Sequence, residues 1–328
     1  MKSNAKSKIM VLIALGILLG LSPINTVNLS FIAGNNSENS NCHDNINSDK
    51  EYLKISAISG KIRITNNSGW VDFKNAGNCT GNGTYSDPYV IEDLIIDPGR
   101  WVTCIVIENS DVYFRIENCS LLHSGGAVRL SNVNNSMIIK NNCSSNSNGI
   151  DLWRCNNSTI SGNTANNNDD WGISLSDCNN STISGNTANN NGEGIYLYYS
   201  HDINASGNTA NNNDDWGIFL ASIDYTTFSG NTANNNKYGI FLSYSDYNTI
   251  SGNTANDNKR GIYLHCSRYN TISGNTFLGN DECIVEENCE GNIFENNDCG
   301  IIPGYNLFFL LGALSVAVIL TSKKLKKP

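Results

Sequence analysis

Residues 172–187 read GISLSDCNNSTISGNT, and imperfect copies of this stretch recur along the chain about every 22 residues. The step from the isoleucine of G-I-x-L to the glycine of S-G-N-T is the same in every copy, as from Ile150 to Gly162. The variation in repeat length therefore lies in the turn after N-T-A-N-N-N, which must be a surface loop. The isoleucines are Ile150, Ile173, Ile195, Ile218, Ile240 and Ile262, and the glycines are Gly162, Gly185, Gly207, Gly230, Gly252 and Gly274.

Within G-I-x-L, apolar residues alternate with a variable position, which is the pattern of a strand with one buried face. Short strands repeated in every coil stack in parallel at about 4.8 Å per coil. The sequence thus predicts an all-β fold, a right-handed parallel β-helix over residues 80–300, with ladders of isoleucine, leucine and asparagine. Ala205 is small where other coils carry a large residue, and Phe228 follows one coil later, so the pair can keep the local volume filled.

The N-terminal end has the pattern of an export signal. Residues 1–23 contain three lysines and then an apolar run from Ile9 to Leu21, as a signal peptide does. Because no clear small-x-small cleavage site follows, an uncleaved anchor is the alternative. Residues 24–50 lack apolar periodicity and are predicted to be a flexible linker, and residues 51–79 lead into the first coil.

The C-terminal end has the pattern of a membrane anchor. Residues 305–322 are mostly apolar, and as a helix they would measure about 27 Å, which just spans a bilayer. The lysine-rich residues 323–328 are predicted to be a cytoplasmic tail. We therefore expect a single-pass protein of the cell membrane with its β-helix outside the cell. A buried C-terminal core helix is the alternative, but it suits a β-solenoid poorly.

The charge balance indicates what the exported part binds. Without the seven lysines of the two ends, 14 of the 21 Lys and Arg residues remain against 30 Asp and Glu, a net charge near −16. Such an acidic surface argues against nucleic acid as a partner. It favours divalent cations or a counter-charged surface.

The repeats N-N-S-T-I-S-G-N-T and G-I-Y-L resemble those of the NosD-like family, within the pectin-lyase-like superfamily that also holds pectate lyases. The resemblance covers about residues 80–297. The stretch GTYSDPYVI at residues 83–91 looks like the leading turn and first strand that open such domains. The sequence PGYN at residues 303–306, followed by an apolar span and lysines, looks like the anchoring signals of archaeal surface proteins.

The resemblance implies a link to copper-centre maturation, but three Met and four scattered His offer copper no cluster of soft ligands. Pectic hydrolases of related fold share N-T-D, D-D, G-H-G and R-I-K motifs. This chain has N-T-A, lacks G-H-G, and carries D-D only as a repeat variant. We therefore assign no catalytic residues and predict a non-catalytic surface that binds a polysaccharide or an envelope protein. A membrane-anchored polysaccharide lyase or glycoside hydrolase is the alternative.

Two rows of aromatic residues are candidates for ligand binding. The variable position of G-I-x-L points outward and holds aromatic residues in four successive coils, and a second row precedes the S-G-N-T glycines by five residues. Flat aromatic rings stack on sugar rings, although they also stabilise neighbouring strands as cross-strand pairs. The first row is Tyr196, Phe219, Phe241 and Tyr263, and the second is Tyr225, Tyr247 and Tyr269.

Carboxylates on the variable turn suggest a calcium site, and the cysteines suggest a disulfide. Calcium takes six to eight oxygen ligands, so one ion could bridge an Asp-Asp turn and Glu193, with a solvated acidic edge as the alternative. The carboxylates are Asp169, Asp170, Glu193, Asp214 and Asp215. Among 11 Cys, Cys155 and Cys178 lie one repeat apart at equivalent places on adjacent coils, where a bridge is feasible. No other cofactor is expected.

Overall fold

The computed structural model describes residues 56–58 and 60–300, which wind into a right-handed parallel β-helix. Two ten-stranded parallel sheets run the length of the helix. Sheet 1 comprises β2 (Ile62–Ile64), β5 (Thr103–Ser110), β8 (Gly126–Val133), β10 (Ile150–Trp153), β12 (Trp171–Ser176), β14 (Glu193–Tyr198), β16 (Trp216–Ala221), β18 (Tyr238–Ser243), β20 (Arg260–His265) and β22 (Glu282–Glu287). Sheet 2 comprises β3 (Tyr89–Glu92), β6 (Phe114–Glu117), β9 (Ser136–Ile139), β11 (Thr159–Ser161), β13 (Thr182–Ser184), β15 (Asn204–Ser206), β17 (Thr227–Ser229), β19 (Thr249–Ser251), β21 (Thr271–Ser273) and β23 (Ile293–Glu295).

A shorter third sheet holds β1 (Ser56–Ile58), β4 (Leu94–Ile96) and β7 (Ser120–Leu121). It continues along the later coils as single-residue bridges between threonines, such as Thr187 with Thr209. The coils begin earlier than the predicted boundary at residue 80, because β1 pairs with β4 and β2 pairs with β5. The segment predicted as a lead-in is therefore partly the first coil.

The predicted isoleucine ladder is confirmed. Each G-I-x-L isoleucine pairs in register with the next, from Ile150 with Ile173 to Ile240 with Ile262, and all six are buried. The leucines two residues later form a parallel buried ladder. Ala205 and Phe228 pair in register in sheet 2, and both are buried, as the size compensation predicts.

The glycine of G-I-x-L is required because its backbone lies so close to an alanine across the coil that a side chain would not fit between them. A methyl group on Gly239 would lie 2.7 Å from the Cβ of Ala255, a distance at which carbon atoms clash. Glycine and alanine keep this relation over five successive coils, at the same separation along the chain each time. In the last coil the same pair of positions holds Cys283 and Cys299, which form a disulfide. A covalent bond thus replaces the contact of two small residues where the described solenoid ends.

Two ladders of buried asparagines satisfy the polar groups of the turns. In the predicted ladder, Asn163 donates from Nδ2 to Oδ1 of Asn186 over 3.0 Å, and the same Oδ1 accepts the backbone N–H of Asn163. Asn186 in turn donates to the carbonyl oxygen of Ile160. A second ladder, which includes Asn168 and Asn191, repeats the interaction. Because these amides are bonded inside the fold, the asparagines are structural rather than available to a ligand.

The first coils of the β-helix carry a short helix, α1 (Asn67–Asn75), and the side chain of Asn66 caps its N-terminus. Trp70 of α1 is fully buried and stacks on Tyr89 at 5.1 Å between ring centroids. Its indole N–H donates to Ser110 Oγ. The helix therefore covers apolar side chains of the first coils.

The predicted signal peptide (1–23), linker (24–50), membrane span (305–322) and basic tail (323–328) lie outside the described residues. Among residues 56–58 and 60–300, no helix has both the length and the apolar character needed to cross a membrane.

Candidate ligand-binding face

Sheet 1 presents a continuous group of aromatic rings to the outside of the solenoid. Its inward positions are filled by the isoleucine and leucine ladders, so residues at the alternate positions point outward. The predicted first row lies in register here, from Tyr196 with Phe219 to Phe241 with Tyr263. We call this group the aromatic face, and its members are Trp171, Tyr196, Tyr198, Trp216, Phe219, Tyr238, Phe241 and Tyr263.

Half of the aromatic face was not predicted. Trp171, Trp216 and Tyr238 lie two residues before the ladder isoleucines, and Tyr198 lies one residue after a ladder leucine. Period-two alternation places Tyr198 outward, but it would place the other three inward, because a residue two positions before an inward isoleucine has an inward position itself. The intervening glycine, such as Gly172, also lies against an alanine on the inside, so the chain does not alternate there. The ring contacts of Trp171 and Trp216 show that these side chains join the face, and of the four only Tyr198 follows from the sequence pattern.

The rings of the face pack on one another. The centroids of Tyr196 and Phe219 lie 5.1 Å apart, and those of Phe241 and Tyr263 lie 4.6 Å apart, both in stacked pairs. Trp216 stacks on Phe219 at 4.5 Å. Aromatic pairs at these distances stabilise a fold by about 0.5–1.5 kcal/mol beyond the area they bury. The face is therefore rigid, and only part of each ring remains free.

The two halves of the face differ in exposure. At the C-terminal half, the Arg260 guanidinium lies over the rings of Tyr238 and Tyr263, and the Tyr263 hydroxyl donates to Glu287 over 2.6 Å. Tyr263 is only 8% exposed as a result. At the N-terminal half, Tyr198 is 40% exposed. The accessible part of the face is thus centred on Tyr196 and Tyr198.

Glu193 lies beside the accessible half. Its Oε2 accepts a hydrogen bond of 2.7 Å from the Trp171 indole. Burial raises the pKa of Glu193, the Trp171 hydrogen bond opposes that rise, and the charges of Asp170 and Asp215 add to it. The Trp216 indole N–H is buried and has no hydrogen-bond acceptor among the described residues, because Tyr238 occupies the place on the next coil that Glu193 takes beside Trp171.

The second predicted row is a separate surface. Tyr225, Tyr247 and Tyr269 lie on the turns between sheets 1 and 2, each with a positive φ. Their rings stack at 5.4 and 5.2 Å with interplanar angles of 3° and 15°. The three side chains are nevertheless exposed, at 67%, 50% and 47% of their surface. Both interpretations of this row, strand stabilisation and sugar stacking, stay predictions.

The predicted calcium ligands do not converge. Asp169 forms an ion pair with Arg100, and Asp215 forms one of 2.8 Å with Lys237. Glu193 is bonded to an indole, as described above, and Asp170 and Asp214 lie on turns two coils apart. Within residues 56–58 and 60–300, no three His, Cys, Asp or Glu side chains are arranged to hold a metal ion. The described residues therefore give the calcium prediction no support, and it stays a prediction.

The expected Cys155–Cys178 disulfide is not formed. The two residues do stack on adjacent coils, but both are buried free thiols, and the backbone N–H of Cys155 donates to Cys178 Sγ. The hydrogen bond with Cys155, and then burial, raise the pKa of Cys178. The disulfide that does form, Cys283–Cys299, joins two segments within the last coil.

The comparisons with known proteins agree with this architecture. A family model described as NosD, periplasmic copper-binding protein, matches residues 25–191 and 105–304. The chain belongs to the NosD family. No curated protein matches the chain.

A solved structure shows that this NosD-family chain shares its fold with an epimerase module. The A-module of the Azotobacter vinelandii mannuronan C-5 epimerase AlgE6 is 14% identical, with a TM-score of 0.56. The match covers 64% of this chain and 65% of the module, so this chain spans just under two thirds of the length of that relative. A Eubacterium ramulus lacto-N-biosidase is 12% identical, with a TM-score of 0.48 and 68% and 54% of the two chains covered. Identities this low establish the β-helix fold alone.

The NosD name implies copper, and the described residues do not fit a resident copper site. Copper in proteins selects soft thiolate, thioether and imidazole ligands in groups. Burial raises the pKa of the Cys104 and Cys119 thiols to about 11, so at neutral pH they are not thiolates. His265 Nε2 lies 3.6 Å from Cys266 Sγ, but the described part of the chain holds no third His, Cys, Asp or Glu positioned to complete a site.

Proposed function

We propose that this NosD-family protein is an exported, non-catalytic β-helix that binds a surface polysaccharide through the aromatic face of sheet 1. The observation that carries the proposal is the continuity of the face, with eight rings on one outward surface over five successive strands from β12 to β20. Sugar rings present flat apolar C–H surfaces, and aromatic rings are the side chains that pack against them. A rigid group of rings loses little conformational entropy when it binds.

The repetition of the face suits a repetitive ligand. Successive coils are separated by about 4.8 Å, so equivalent rings recur at a regular spacing along the axis. A polysaccharide also repeats along its length, and it could contact several coils at once. We place the centre of the site at Tyr196 and Tyr198, with Trp171 and Phe219 beside them, since among the described residues no cation lies over the rings of this half.

The proposed location is the outer face of a membrane, held by residues 305–322 with the lysine-rich tail in the cytoplasm. The sequence of both ends supports this arrangement, because each hydrophobic segment is flanked by lysines. Protease added to intact cells should remove the β-helix and leave the C-terminal tail protected. Protection of the β-helix would contradict the proposed topology.

The binding proposal is tested with the full chain in lipid nanodiscs on a polysaccharide array. Tyr198→Ser should reduce glycan binding at least about tenfold, since it removes an exposed ring at the centre of the site. Tyr247→Ser is the matched control, because it removes an exposed tyrosine from the separate stacked row. Equal binding by both variants and the unmodified protein would contradict the assignment of the site. Binding to an envelope protein and to no glycan would favour the other predicted class of ligand.

Polysaccharide cleavage is the second candidate function, and Glu193 is the observation that favours it. A carboxyl group with a raised pKa beside aromatic rings has the character of a general acid. Glycoside hydrolysis needs a second carboxyl group at about 5–9.5 Å, and the neighbouring Asp215 is already paired with Lys237. Release of oligosaccharides by the unmodified protein, and its loss in Glu193→Gln, would establish this alternative.

A further inference from the structure

The charged side chains around the aromatic face indicate which charge its ligand has. Four cations in the described residues lie over aromatic rings, and each one is also paired with a carboxylate. The guanidinium of Arg154 lies over Trp153 and pairs with Asp177, and Arg100 lies over Trp101 and pairs with Asp169.

The two cations on the aromatic face itself have the shortest ion pairs of the four. Lys237 lies over the Tyr238 ring at 5.5 Å and pairs with Asp215 at 2.8 Å. Arg260 lies over the Tyr263 ring at 4.4 Å and pairs with Glu282 at 2.6 Å. The ion pair with Asp215 raises the pKa of Lys237. Each cation therefore already has a carboxylate partner in the protein, which weakens its attraction for a carboxylate of a ligand.

Carboxylates outnumber cations along this face. Lys259, on the adjoining turn, is exposed and has no carboxylate within ion-pair distance among the described residues, but it does not lie over a ring of the face. The carboxylates are Asp170, Glu193, Asp215, Glu282 and Glu287, against the cations Lys237, Lys259 and Arg260. A polyanion laid on the rings would meet a surface of its own sign. Charges of like sign placed opposite each other at an interface weaken binding.

We infer that the ligand of the aromatic face is an uncharged polysaccharide and that the face discriminates against polymers of uronic acids. This inference rests on the proposed function and adds the chemical class of the ligand. Discrimination comes from the pairing of Arg260 with Glu282 and of Lys237 with Asp215, which leaves the rings as the main attraction. The affinity for neutral sugars is not reduced by this arrangement, because ring stacking requires no charge.

The test compares two oligosaccharides that differ only at C6, a β-1,4-linked mannohexaose and the corresponding hexamannuronate. The full chain should bind the neutral oligomer at least about tenfold more tightly at low salt. Added salt should narrow the difference, because it screens the repulsion of the carboxylates. Calorimetry or fluorescence of the tryptophans in the face gives both affinities.

Charge-release variants test the cause of the discrimination. Glu282→Gln removes the closer carboxylate partner of Arg260 and leaves only Glu287 at 4.0 Å, and Asp215→Asn frees Lys237. Each variant should gain several-fold in affinity for hexamannuronate and keep its affinity for mannohexaose. Glu108→Gln is the matched control, because it breaks the similar pair with Arg63 near the far end of sheet 1. Because the two variants change different ion pairs, the test can still be made if one of them fails to fold.

The outcomes separate this inference from the proposed function. Hexamannuronate bound as tightly as mannohexaose by the unmodified protein would overturn the inference and leave the site in place. If the unmodified protein prefers mannohexaose but neither release variant gains affinity for hexamannuronate, the role of the paired cations would be overturned. Failure of a wider panel of neutral and acidic glycans to bind at all would overturn the proposed function itself.

Discussion

Cys283 and Cys299 form a disulfide with their Cα atoms 5.7 Å apart, at the pair of positions that Gly239 and Ala255 occupy two coils earlier. The separation along the chain is the same in both pairs. Each coil of a solenoid is held mainly by its neighbours, and the last described coil has one neighbouring coil instead of two within residues 60–300. The disulfide stabilises this coil by closing it covalently.

Replacing both cysteines by the pair found in earlier coils, Cys283→Gly with Cys299→Ala, should therefore loosen the last coil. The loss of a closed loop of this size is expected to cost about 3 kcal/mol, and most of it should appear locally. Hydrogen exchange measured on β22 and β23 should increase, while exchange in β14 and β16 stays unchanged. Equal protection of the last coil in the variant and the unmodified protein would contradict this role.

Trp171 and Trp216 provide a matched pair of indole donors on the same sheet. Trp171→Phe leaves Glu193 without its donor and should lower the free energy of unfolding by about 1–3 kcal/mol. Trp216→Phe removes a buried N–H that has no acceptor among the described residues, so it should be neutral or stabilising. Chemical denaturation of the two variants gives both values. Equal destabilisation would mean that ring packing outweighs hydrogen bonding at these positions.

Glu193 should make stability depend on pH. Because burial raises its pKa in the folded state, the folded protein binds this proton more tightly than the unfolded chain. The stabilising contribution is full below the pKa of the unfolded chain, about 4.3, and is lost as pH rises through the raised value in the folded state. Melting temperatures of Glu193→Gln and the unmodified protein, measured from pH 4 to pH 7, should diverge in favour of the variant as pH rises. A constant difference would rule out this linkage.

Glu286 occupies the position in β22 that the ladder leucine Leu264 occupies in β20. Charged residues at inward positions of a terminal strand prevent pairing with another chain. Glu286→Leu should therefore promote self-association, measured by analytical ultracentrifugation. Glu290→Leu on the neighbouring turn is the control for added hydrophobicity alone, and association of both variants to the same extent would argue against a role for the inward charge.

The fold of the solenoid follows from its repeats. Period-two alternation and the constant spacing from Ile150 to Gly162, repeated along the chain, place one set of side chains inward in every coil. A strand with one buried face has only two ways to orient its side chains, so the alternation is sufficient to predict which side chains point inward. The same alternation located Phe219 and Phe241 on the outward surface.

The contacts between outward side chains cannot be read from the repeats and are seen only in the folded solenoid. Trp171 bonds Glu193, and Lys237 pairs with Asp215, each across one coil, and these contacts determine which rings are covered and which carboxylates are free. Cys155 and Cys178 lie at equivalent positions of adjacent coils without a disulfide, whereas Cys283 and Cys299 lie within one coil and form a disulfide. The physical reason is that repetition fixes the backbone of every coil, while side-chain rotamers and distances across and between coils decide the partners.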